Sequence, residues 1–506
     1  MAYASWVESA SSTSNGPTDK LSRVENLKSW HDDWSDLRVA VIGLGVTGFS
    51  VADTLAELGA SVKVFAERAE SEQLDILDVL GVAHVTGAEA AGLPSALVAF
   101  EPELIVTSPG VRPDSEMIRW AESCNLPIWV DIDLAWRLRD KVGRPAEWIC
   151  VTGTNGKTTT VQLTTAILRE AGLRAEACGN IGTPILDCIR QPEGLDVLVV
   201  ELSSFQLHYL GGISPVASAV LNVDHDHLDW HGDFEAYRLA KGKVYANTQI
   251  ACVYNVADKV TEGLVEDADV VEGARAIGFT VGAPGLSQIG FVEDILCDRA
   301  FIEERRDTAE ELATLADVAE IGVITPHLLA NVAAASALSR SIGIPAEAVR
   351  AGIRNFRLDR HRIEVVLEQG EITWIDDSKA TNPHAAAASL ASFDSIVWVV
   401  GGLLKGVDVR PLVERFAAKL RGVVVIGKER ELVLEALREF APKVPVIEVT
   451  TEDNNEVMHQ AASGARALAQ AGDTVLLAPA AASMDQFKDY ADRGFKFAEA
   501  AKALGE

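Results

Sequence analysis

Short apolar runs that alternate with longer amphipathic stretches restrict the fold of this chain more than any other feature of its sequence. The alternation begins at Arg38 and continues to the C-terminal end, with a less regular region near residues 260–320. This pattern is typical of parallel β-sheets whose strands are joined by crossover helices. It predicts an α/β protein of three successive blocks, which agrees with a length of 506 residues at roughly 150 residues per domain.

The runs and the breaks between them predict the strands and the domain boundaries. We expect strands at Arg38–Ile42, Val62–Phe65, Leu104–Thr107, Trp148–Thr152, Val197–Val200, Ala219–Val223, Ile250–Tyr254, Ile372–Ile375, Ile396–Val400, Val423–Ile426, Val444–Val449 and Thr474–Ala478. Joints are expected near Leu134–Arg144 and Asn355–Arg360, and the glycine turns of Val281–Asp294 predict a small β insertion. The predicted parts are a disordered N-terminal extension and lead-in at 1–37 and three domains at 38–136, 137–357 and 358–506.

Composition and charge exclude several classes of protein. A net charge of −29 argues against a nucleic-acid partner, because neutralising phosphates requires a basic face. The Ser-rich N-terminus lacks the apolar core of a signal peptide, and no apolar stretch is long enough to span a bilayer. The six cysteines are scattered without C-x-x-C spacing, so neither disulfides nor a thiolate metal site is indicated. We therefore expect a cytoplasmic protein with small-molecule substrates and no nucleic-acid or membrane partner.

The first glycine-rich turn follows the first predicted strand. Gly43, Gly45 and Gly48 have G-x-G-x-x-G spacing and lead into a predicted helix, and Glu67 follows the next strand. This layout is typical of a dinucleotide-binding turn, in which backbone amides and a helix N-terminus hold a diphosphate. Taken alone, the turn makes an NAD-dependent oxidoreductase one hypothesis.

A second glycine-rich loop, GTNGKTTT, lies between the strand at Trp148–Thr152 and a helix predicted to end near Gly172. Its glycines turn backbone amides toward an anion, Lys157 can reach the β- and γ-phosphates, and Thr158 can bind magnesium. The loop is two residues shorter between its glycines than the usual motif, and a glycine turn with an exposed lysine is the alternative. An ATP-driven switch without synthetic activity is a further hypothesis for the chain.

Acidic and histidine residues follow the next two predicted strands. Glu201 comes directly after one, and Asp224, His225, Asp226, His227 and Asp229 come after the other. Because the carboxyl ends of parallel strands share one edge of a sheet, these residues are expected beside the second loop. Glu201 with one histidine predicts a magnesium site, and a zinc site of His225, His227 and His231 is the alternative.

Several longer stretches are similar to the Mur ligase family, and the similarity extends from Arg38 to Gly505. They are GTNGKTTT, CGNIGTP, ELSSFQL, LNVDHDHLD, YRLAK, DRHRIEVV, DDSKATNP, GGLLKG and APAAASMDQFKDY. ELSSFQL, DDSKATNP and ASMDQFKDY most resemble the branch of the family that adds D-glutamate. A folylpolyglutamate synthetase is a related alternative, against which the first glycine turn and ELSSFQL both argue.

The resemblance implies a fold, an activity and a set of cofactors. The fold is an N-terminal Rossmann-like UDP-binding domain, a central P-loop ATPase-type domain with a mostly parallel sheet, and a C-terminal Rossmann-like domain. The activity is ATP-dependent addition of D-glutamate to UDP-N-acetylmuramoyl-L-alanine through an acyl phosphate, in peptidoglycan precursor biosynthesis. The cofactors are ATP, two Mg²⁺ ions and a carbamylated lysine. A monomer and a domain closure over ATP are also expected.

The resemblance also assigns roles to individual residues. The catalytic residues are Lys157, His227 and Lys241. The magnesium ligands are Thr158, Glu201, His227 and carbamylated Lys241. ATP is bound by Gly153, Thr154, Asn155, Gly156, Lys157, Thr158, Thr159, Asn331, Arg362 and Asp377. The UDP substrate is bound by Val46, Thr47, Glu67, Arg68, Ser108, Pro109, Gly110 and Asn180. D-Glutamate is bound by Lys379, Thr381, Lys405, Ser483 and Tyr490. The chain departs from the family at Leu328, where an asparagine is common, and at Tyr490, where phenylalanine is common.

Overall fold

The computed structural model describes residues 23–451 and 453–504. The chain divides into two compact units, one of Met1–Gly278 with Ala334–Pro345 and the other of Phe279–Ala333 with Ala346–Glu506. Most of the predicted disordered extension lies outside the described residues. Within the lead-in, residues 23–26 form a helical turn, and Val24 and Trp34 are buried in the first unit.

The first unit begins with a five-stranded parallel sheet in the order β3-β2-β1-β4-β5. Its strands are β1 (Arg38–Ile42), β2 (Ser61–Ala66), β3 (Ala83–Thr86), β4 (Leu104–Thr107) and β5 (Ile128–Trp129). Its helices are α1 (Val46–Glu57), α2 (Ser71–Val79), α3 (Ser95–Phe100), α4 (Glu116–Ser123) and α5 (Asp131–Leu138). From Val39 to Ile42, β1 is apolar and almost completely buried, as expected of a strand covered on both faces.

A second sheet of the same unit contains the order β11-β10-β9-β6-β8-β7. The strands are β6 (Glu147–Thr152), β7 (Ala175–Gly179), β8 (Val197–Glu201), β9 (Ala217–Val220), β10 (Ala251–Asn255) and β11 (Arg275–Phe279). The helices are α6 (Lys157–Glu170), α7 (Ile185–Ile189), α8 (Ser204–Tyr209), α9 (Leu228–His231), α10 (Phe234–Gly242) and α11 (Lys259–Glu266). The two sheets of the unit share one apolar core, in which Trp129 and Trp148 are both buried.

The chain that follows β11 contains an antiparallel ladder and a third, mostly parallel sheet. The ladder is β12 (Gln288–Val292), β13 (Ile295–Asp298) and β14 (Glu310–Thr314), followed by α12 (Leu315–Ala319), α13 (Pro326–Ser341) and α14 (Ala346–Asn355). The third sheet has the order β15-β16-β20-β17-β18-β19. Its elements are β15 (Glu364–Gln369), β16 (Ile372–Asp376), α15 (Pro383–Ala391), β17 (Ile396–Gly401), α16 (Arg410–Phe416), β18 (Leu420–Ile426), α17 (Arg430–Phe440), β19 (Val446–Glu448), α18 (Val457–Leu468), β20 (Thr474–Leu477) and α19 (Tyr490–Ala503).

The expected strands all coincide at least in part with observed ones, and the α/β class with mostly parallel sheets is confirmed. The strand expected at Ala219–Val223 is displaced, since β9 ends at Val220. Asn222 leaves the sheet and bonds to the second glycine loop, as described below. The β insertion begins later than predicted, at Gln288. Within the described part of the chain, no helix is both long and apolar enough to cross a membrane. The domain boundaries stay predictions.

Candidate active site

The first glycine turn lies between β1 and α1 and is shaped by close contacts. A Cβ atom at Gly48 would lie 2.1 Å from the carbonyl oxygen of Gly43. One at Gly43, whose φ is +93°, would lie 2.7 Å from Ser108 Oγ. A larger residue at either position would therefore displace the chain. The turn leads directly into α1, whose first backbone N–H groups and dipole favour an anion.

The residues predicted to bind the UDP end of a substrate meet at one edge of the first sheet, except Asn180. β1 pairs in parallel with β2 and β4, so Ile42 lies opposite both Phe65 and Thr107. The segments that follow these strands carry Val46, Thr47, Glu67, Arg68, Ser108, Pro109 and Gly110. The carboxyl edge of such a sheet is the usual ligand site. At this edge the hydroxyl of Ser108 is buried and has no hydrogen-bond partner among the described residues.

The second glycine loop is held by Asn222, which lies two residues after the end of β9. Asn222 Oδ1 accepts a hydrogen bond from the Asn155 backbone N–H at 2.8 Å, and Asn222 Nδ2 donates to the Asn155 carbonyl at 3.0 Å. The backbone N–H of Thr154 donates to the Asn222 carbonyl at 2.9 Å. Gly156 adopts φ +84° where the loop enters α6. Thr158 and Thr159 follow in the first turn of this helix, as a phosphate-binding loop requires.

Two lysines converge on the carbonyl oxygen of Gly153 in this loop. Lys157 Nζ and Lys241 Nζ each donate to it at 2.8 Å, and Lys157 Nζ also donates to the Thr154 carbonyl at 3.0 Å. Lys241, on α10, is 1% exposed. Burial lowers the pKa of Lys241 well below its ordinary value, and the positive charge of Lys157 adds a smaller effect in the same direction. The ammonium form of Lys241 is therefore less stable than that of an exposed lysine.

Glu201, at the end of β8, is a buried carboxylate with one unsatisfied oxygen. Its Oε1 accepts a hydrogen bond from Asn180 Nδ2 at 2.9 Å. Its Oε2 is buried and has no hydrogen-bond partner in the described part of the chain. Gly179 allows the end of β7 to approach the backbone of Glu201 closely, because a Cβ atom there would lie 2.4 Å from the Glu201 carbonyl oxygen. A buried oxygen without a partner is costly unless a cation or donor satisfies it.

The three histidines that follow β9 have different surroundings. His225 stacks on Phe234 with ring centres 4.5 Å apart, and His231 Nε2 lies 3.0 Å from Ser204 Oγ. His227 is half-exposed, and its ring centre lies 4.8 Å from that of Phe205 in an edge-to-face contact. Burial lowers the pKa of His227, and the nearby Asp226 opposes that shift.

Metal-ligand geometry argues against the zinc alternative. In the range that the structure describes, the only cluster of three His, Cys, Asp or Glu side chains close enough to share a metal ion is His361, Glu364 and Asp376. The three histidines after β9 do not form such a cluster.

The predicted D-glutamate residues and two of the predicted ATP residues surround the carboxyl edge of the third sheet. Lys379 Nζ lies 3.9 Å from the ring centre of Tyr490. The loops that carry Lys405 and Ser483 are joined by paired backbone hydrogen bonds between Leu403 and Ala482, both 2.9 Å. Thr381 and Asp377 follow β16. This brings the predicted cations and hydroxyls of the C-terminal domain to one edge.

Asp377 lies almost completely buried beside Arg362. Burial raises its pKa to about 6, while a hydrogen bond from Ser389 and the charge of Arg362 oppose the shift. Asn331 lies partly buried on α13, and Leu328 of the same helix is a core residue at 5% exposure. The departure from the family at Leu328 thus places an apolar side chain in the core.

Three family models match the chain, and together they span most of it. They are the Mur ligase MurD-like N-terminal domain at residues 37–129, the Mur ligase middle domain at 151–339 and the Mur ligase glutamate ligase domain at 361–481. The UDP-N-acetylmuramoylalanine–D-glutamate ligase of Leifsonia xyli subsp. xyli is 57% identical over 94% of each chain. The chain belongs to the Mur ligase family. The ligase of the same name from Streptomyces avermitilis is 51% identical over 94% of this chain and 99% of its own.

Solved Mur ligase structures have the same fold. The UDP-N-acetylmuramate-alanine ligase of Thermotoga maritima matches 92% of this chain and 99% of its own, with a TM-score of 0.56 and 19% identity. The MurF ligase of the same organism, in complex with ADP, matches 93% of this chain and 95% of its own, with a TM-score of 0.54 and 17% identity. The resemblance to Mur ligases and the three-domain fold expected from it are confirmed. The roles of the individual site residues stay predictions.

Some residues that contribute contacts to these sites received no role in the sequence analysis. Asn222 holds the glycine loop, although the sequence pattern placed it inside the strand expected at Ala219–Val223; its position in the LNVDHDHLD stretch was the available signal. Arg493 is completely buried and donates to the side chain and carbonyl of Ser378 at 2.9 Å. His361 Nδ1 lies 2.6 Å from Asp376 Oδ2. Nothing in the local pattern distinguishes Arg493 from a surface residue of an amphipathic helix.

Proposed function

We propose that this Mur ligase joins D-glutamate to UDP-N-acetylmuramoyl-L-alanine at the expense of ATP, in peptidoglycan precursor synthesis. One observation carries the proposal: Lys157 and Lys241 meet at Gly153 of a phosphate-binding loop. The names of relatives at 57% and 51% identity support the same reaction. The first glycine turn then serves a UDP diphosphate, since its amides and helix N-terminus suit any diphosphate.

The reaction has two steps, and the chain offers groups for each. The substrate carboxylate attacks the γ-phosphorus of ATP, and ADP leaves as the acyl phosphate forms. Lys157 and the first turn of α6 stabilise the charge on the transferred phosphoryl oxygens. The amine of D-glutamate then attacks the acyl carbon and loses a proton, and phosphate leaves as the amide bond forms.

The donor set near the loop fits magnesium. Glu201 supplies a buried carboxylate oxygen without a partner in the described chain, and Thr158 supplies a hydroxyl at the start of α6. Magnesium prefers such oxygen ligands and, when bound, would offset charge on the phosphate oxygens. We assign Thr158, Glu201, His227 and carbamylated Lys241 to two Mg²⁺ ions.

The surroundings of Lys241 suit a carbamate. An uncharged amine attacks carbon dioxide, the N–C bond forms and one proton is released. Because burial and Lys157 already disfavour the ammonium form, less free energy is needed to remove its proton. The product replaces a buried cation by an oxygen ligand.

The C-terminal domain is proposed to bind D-glutamate and part of ATP. D-Glutamate carries two carboxylates, which require cations and hydroxyl donors. Lys379, Thr381, Lys405, Ser483 and Tyr490 supply them at one sheet edge. Arg362 is assigned to phosphate, Asp377 to ribose and Asn331 to adenine.

A substrate panel tests the proposed function. Phosphate release from ATP would be measured with UDP-N-acetylmuramoyl-L-alanine alone, with D-glutamate alone and with both, and then with L-glutamate, D-aspartate and L-lysine in place of D-glutamate. We expect release at the full rate only with both substrates, and a preference for D-glutamate of roughly a hundredfold or more, because unmatched polar groups are strongly rejected. Full release with either substrate alone, or a preference for another amino acid, contradicts the proposal.

A further inference from the structure

A cluster of charged and polar side chains joins α1, whose first turn faces the UDP site, to the segment around α7. Arg190 Nη2 lies 2.5 Å from Asp53 Oδ2, and Arg190 Nη1 lies 3.4 Å from Glu57 Oε2. Ser50 Oγ donates a hydrogen bond to Asp187 Oδ1 at 2.7 Å. Lys141 also pairs with Glu57. We call these side chains the seam cluster: Ser50, Asp53, Glu57, Lys141, Asp187 and Arg190.

The two acidic members of the seam cluster on α1, Asp53 and Glu57, lie where this helix by itself disfavours negative charge. Ser50, Asp53 and Glu57 lie on one face of α1, since they are spaced by three and four residues. Asp53 and Glu57 lie toward the C-terminal end of the helix, where the helix dipole disfavours negative charge. The last turn of α1, TLAE, contains no basic residue. The compensating cations, Arg190 and Lys141, therefore come from outside the helix.

Asp187 and Arg190 of the seam cluster are connected through the chain to the predicted magnesium site. Asp187 lies in α7 and Arg190 directly after it, and α7 follows the CGNIGTP stretch. In that stretch Asn180 donates to Glu201 twice, from its backbone N–H to the carbonyl and from Nδ2 to Oε1, both at 2.9 Å. Hydrogen bonds and the chain between them thus connect α1, through Ser50 and Asp187, with Asn180 and Glu201.

The seam cluster is more protected from water than a typical surface ion pair. The Arg190 and Lys141 side chains are 21% and 20% exposed, whereas the Arg174 side chain, paired with Asp196 at 2.8 Å, is 54% exposed. Lys141 Nζ also lies 3.8 Å from the ring centre of Trp30. Partial burial strengthens charge pairs and makes the loss of one partner costly.

From these contacts we infer that the seam cluster positions the reacting carboxylate of the nucleotide substrate. The inference rests on the proposed function, in which a long substrate is held at its UDP end by the first sheet and reacts at its other end beside Lys157. A shift of α1 against the segment around α7 moves the anchored end relative to Glu201. Because misplacement by about 1 Å can reduce a rate by about 10²-fold, the cluster is expected to control kcat.

The test compares Arg190→Gln and Asp53→Asn with the wild-type enzyme. We expect kcat to fall by roughly tenfold or more in each variant, because alignment of the reacting groups is lost. The Kd of UDP-N-acetylmuramoyl-L-alanine and the KM of ATP should stay within about twofold, because the residues that touch them are unchanged. Arg190→Lys should recover part of kcat, and the double variant should be no slower than the slower single variant, since both residues act as one unit.

Arg174→Gln is the matched control, because it removes an arginine–aspartate pair of the same unit that lies outside the seam cluster. Its kcat should equal that of the wild type, and thermal unfolding of all variants shows whether they are folded. If Arg190→Gln fails to fold, Asp53→Asn and Arg190→Lys give the same comparison. A folded Arg190→Gln or Asp53→Asn variant with wild-type kcat overturns the inference, as does a loss confined to substrate Kd. A wild-type enzyme without ligase activity instead contradicts the proposed function.

Discussion

Lys157 and Lys241 donate to one acceptor, the Gly153 carbonyl oxygen, each at 2.8 Å. Two ammonium groups that share a buried acceptor repel each other, and Lys241 is the more buried of the two. Lys157 thereby adds to the effect of burial in lowering the pKa of Lys241. A carbamate on Lys241 would change this repulsion into attraction.

Removal of Lys241 should therefore lower the activity strongly, and a small added carboxylate should restore part of it. We expect Lys241→Ala to lose about 10²-fold or more in kcat, because an oxygen ligand for magnesium is lost. Added acetate should restore part of the activity by supplying the missing oxygen. Phosphate release assays with and without acetate measure both effects. Lys259→Ala, which removes a surface lysine paired with Glu262, is the control and should not respond; an active Lys241→Ala variant contradicts the assignment.

The unsatisfied oxygen of Glu201 gives a second prediction, which separates activity from stability. Glu201→Gln should lower kcat by about 10²-fold and raise the Mg²⁺ concentration needed for half-maximal activity, because a ligand is lost. The variant should unfold at the same temperature as the wild type or higher, because a buried charge has been removed. Magnesium titrations of activity and thermal unfolding test this. Glu176→Gln, a surface change next to Arg169, should match the wild type, and a Glu201→Gln enzyme with normal magnesium dependence would falsify the role.

The strands of the three sheets could be predicted from the sequence, but the long-range contacts that complete the candidate site could not. Apolar runs specify buried parallel strands because those strands are covered on both faces, and so β1 agrees with the prediction residue for residue. β9 ends early because Asn222 bonds to Asn155, a long-range contact that no local pattern encodes. The same holds for Arg190 and Asp53, which are 137 residues apart in the sequence. Glycine spacing indicated a phosphate loop, yet the shared acceptor at Gly153 required the tertiary structure.

Buried carboxylates in the helix that follows the first sheet predict a pH-dependent stability. Burial raises the pKa values of both Asp131 and Asp133 to about 6, although Gln206 donates to Asp131 at 3.1 Å. The ordinary pKa of an unfolded aspartate is about 3.9, so the folded state binds more protons than the unfolded state between pH 4 and 6. The free energy of unfolding should therefore fall as pH rises through this window and level off above it.

The variant Asp131→Asn tests this sign. It should be more stable than the wild type at pH 7.5, by up to about 3 kcal/mol, because the uncharged amide avoids the cost of a buried charge and still accepts from Gln206. The advantage should shrink toward pH 4, where Asp131 is protonated in the wild type. Denaturant unfolding at several pH values measures it. Asp75→Asn, an exposed substitution on α2, should give no such trend. If the stability of Asp131→Asn relative to the wild type is lower at pH 7.5 than at pH 4, the raised pKa of Asp131 is contradicted.

The contact between Lys379 and Tyr490 predicts how the proposed D-glutamate site responds to substitution. The ring lies 3.9 Å from the ammonium group, which is within the range of a cation–π interaction of about 0.5–2 kcal/mol. Tyr490→Ala removes the ring and should raise the KM for D-glutamate by roughly tenfold, because Lys379 is no longer held in place. Tyr490→Phe keeps the ring and should retain a KM within about threefold of the wild type. The KM for ATP should not change in either variant. Steady-state kinetics with each substrate varied in turn decide the matter, and an equal loss in both variants would mean that the hydroxyl, and not the ring, is what the site requires.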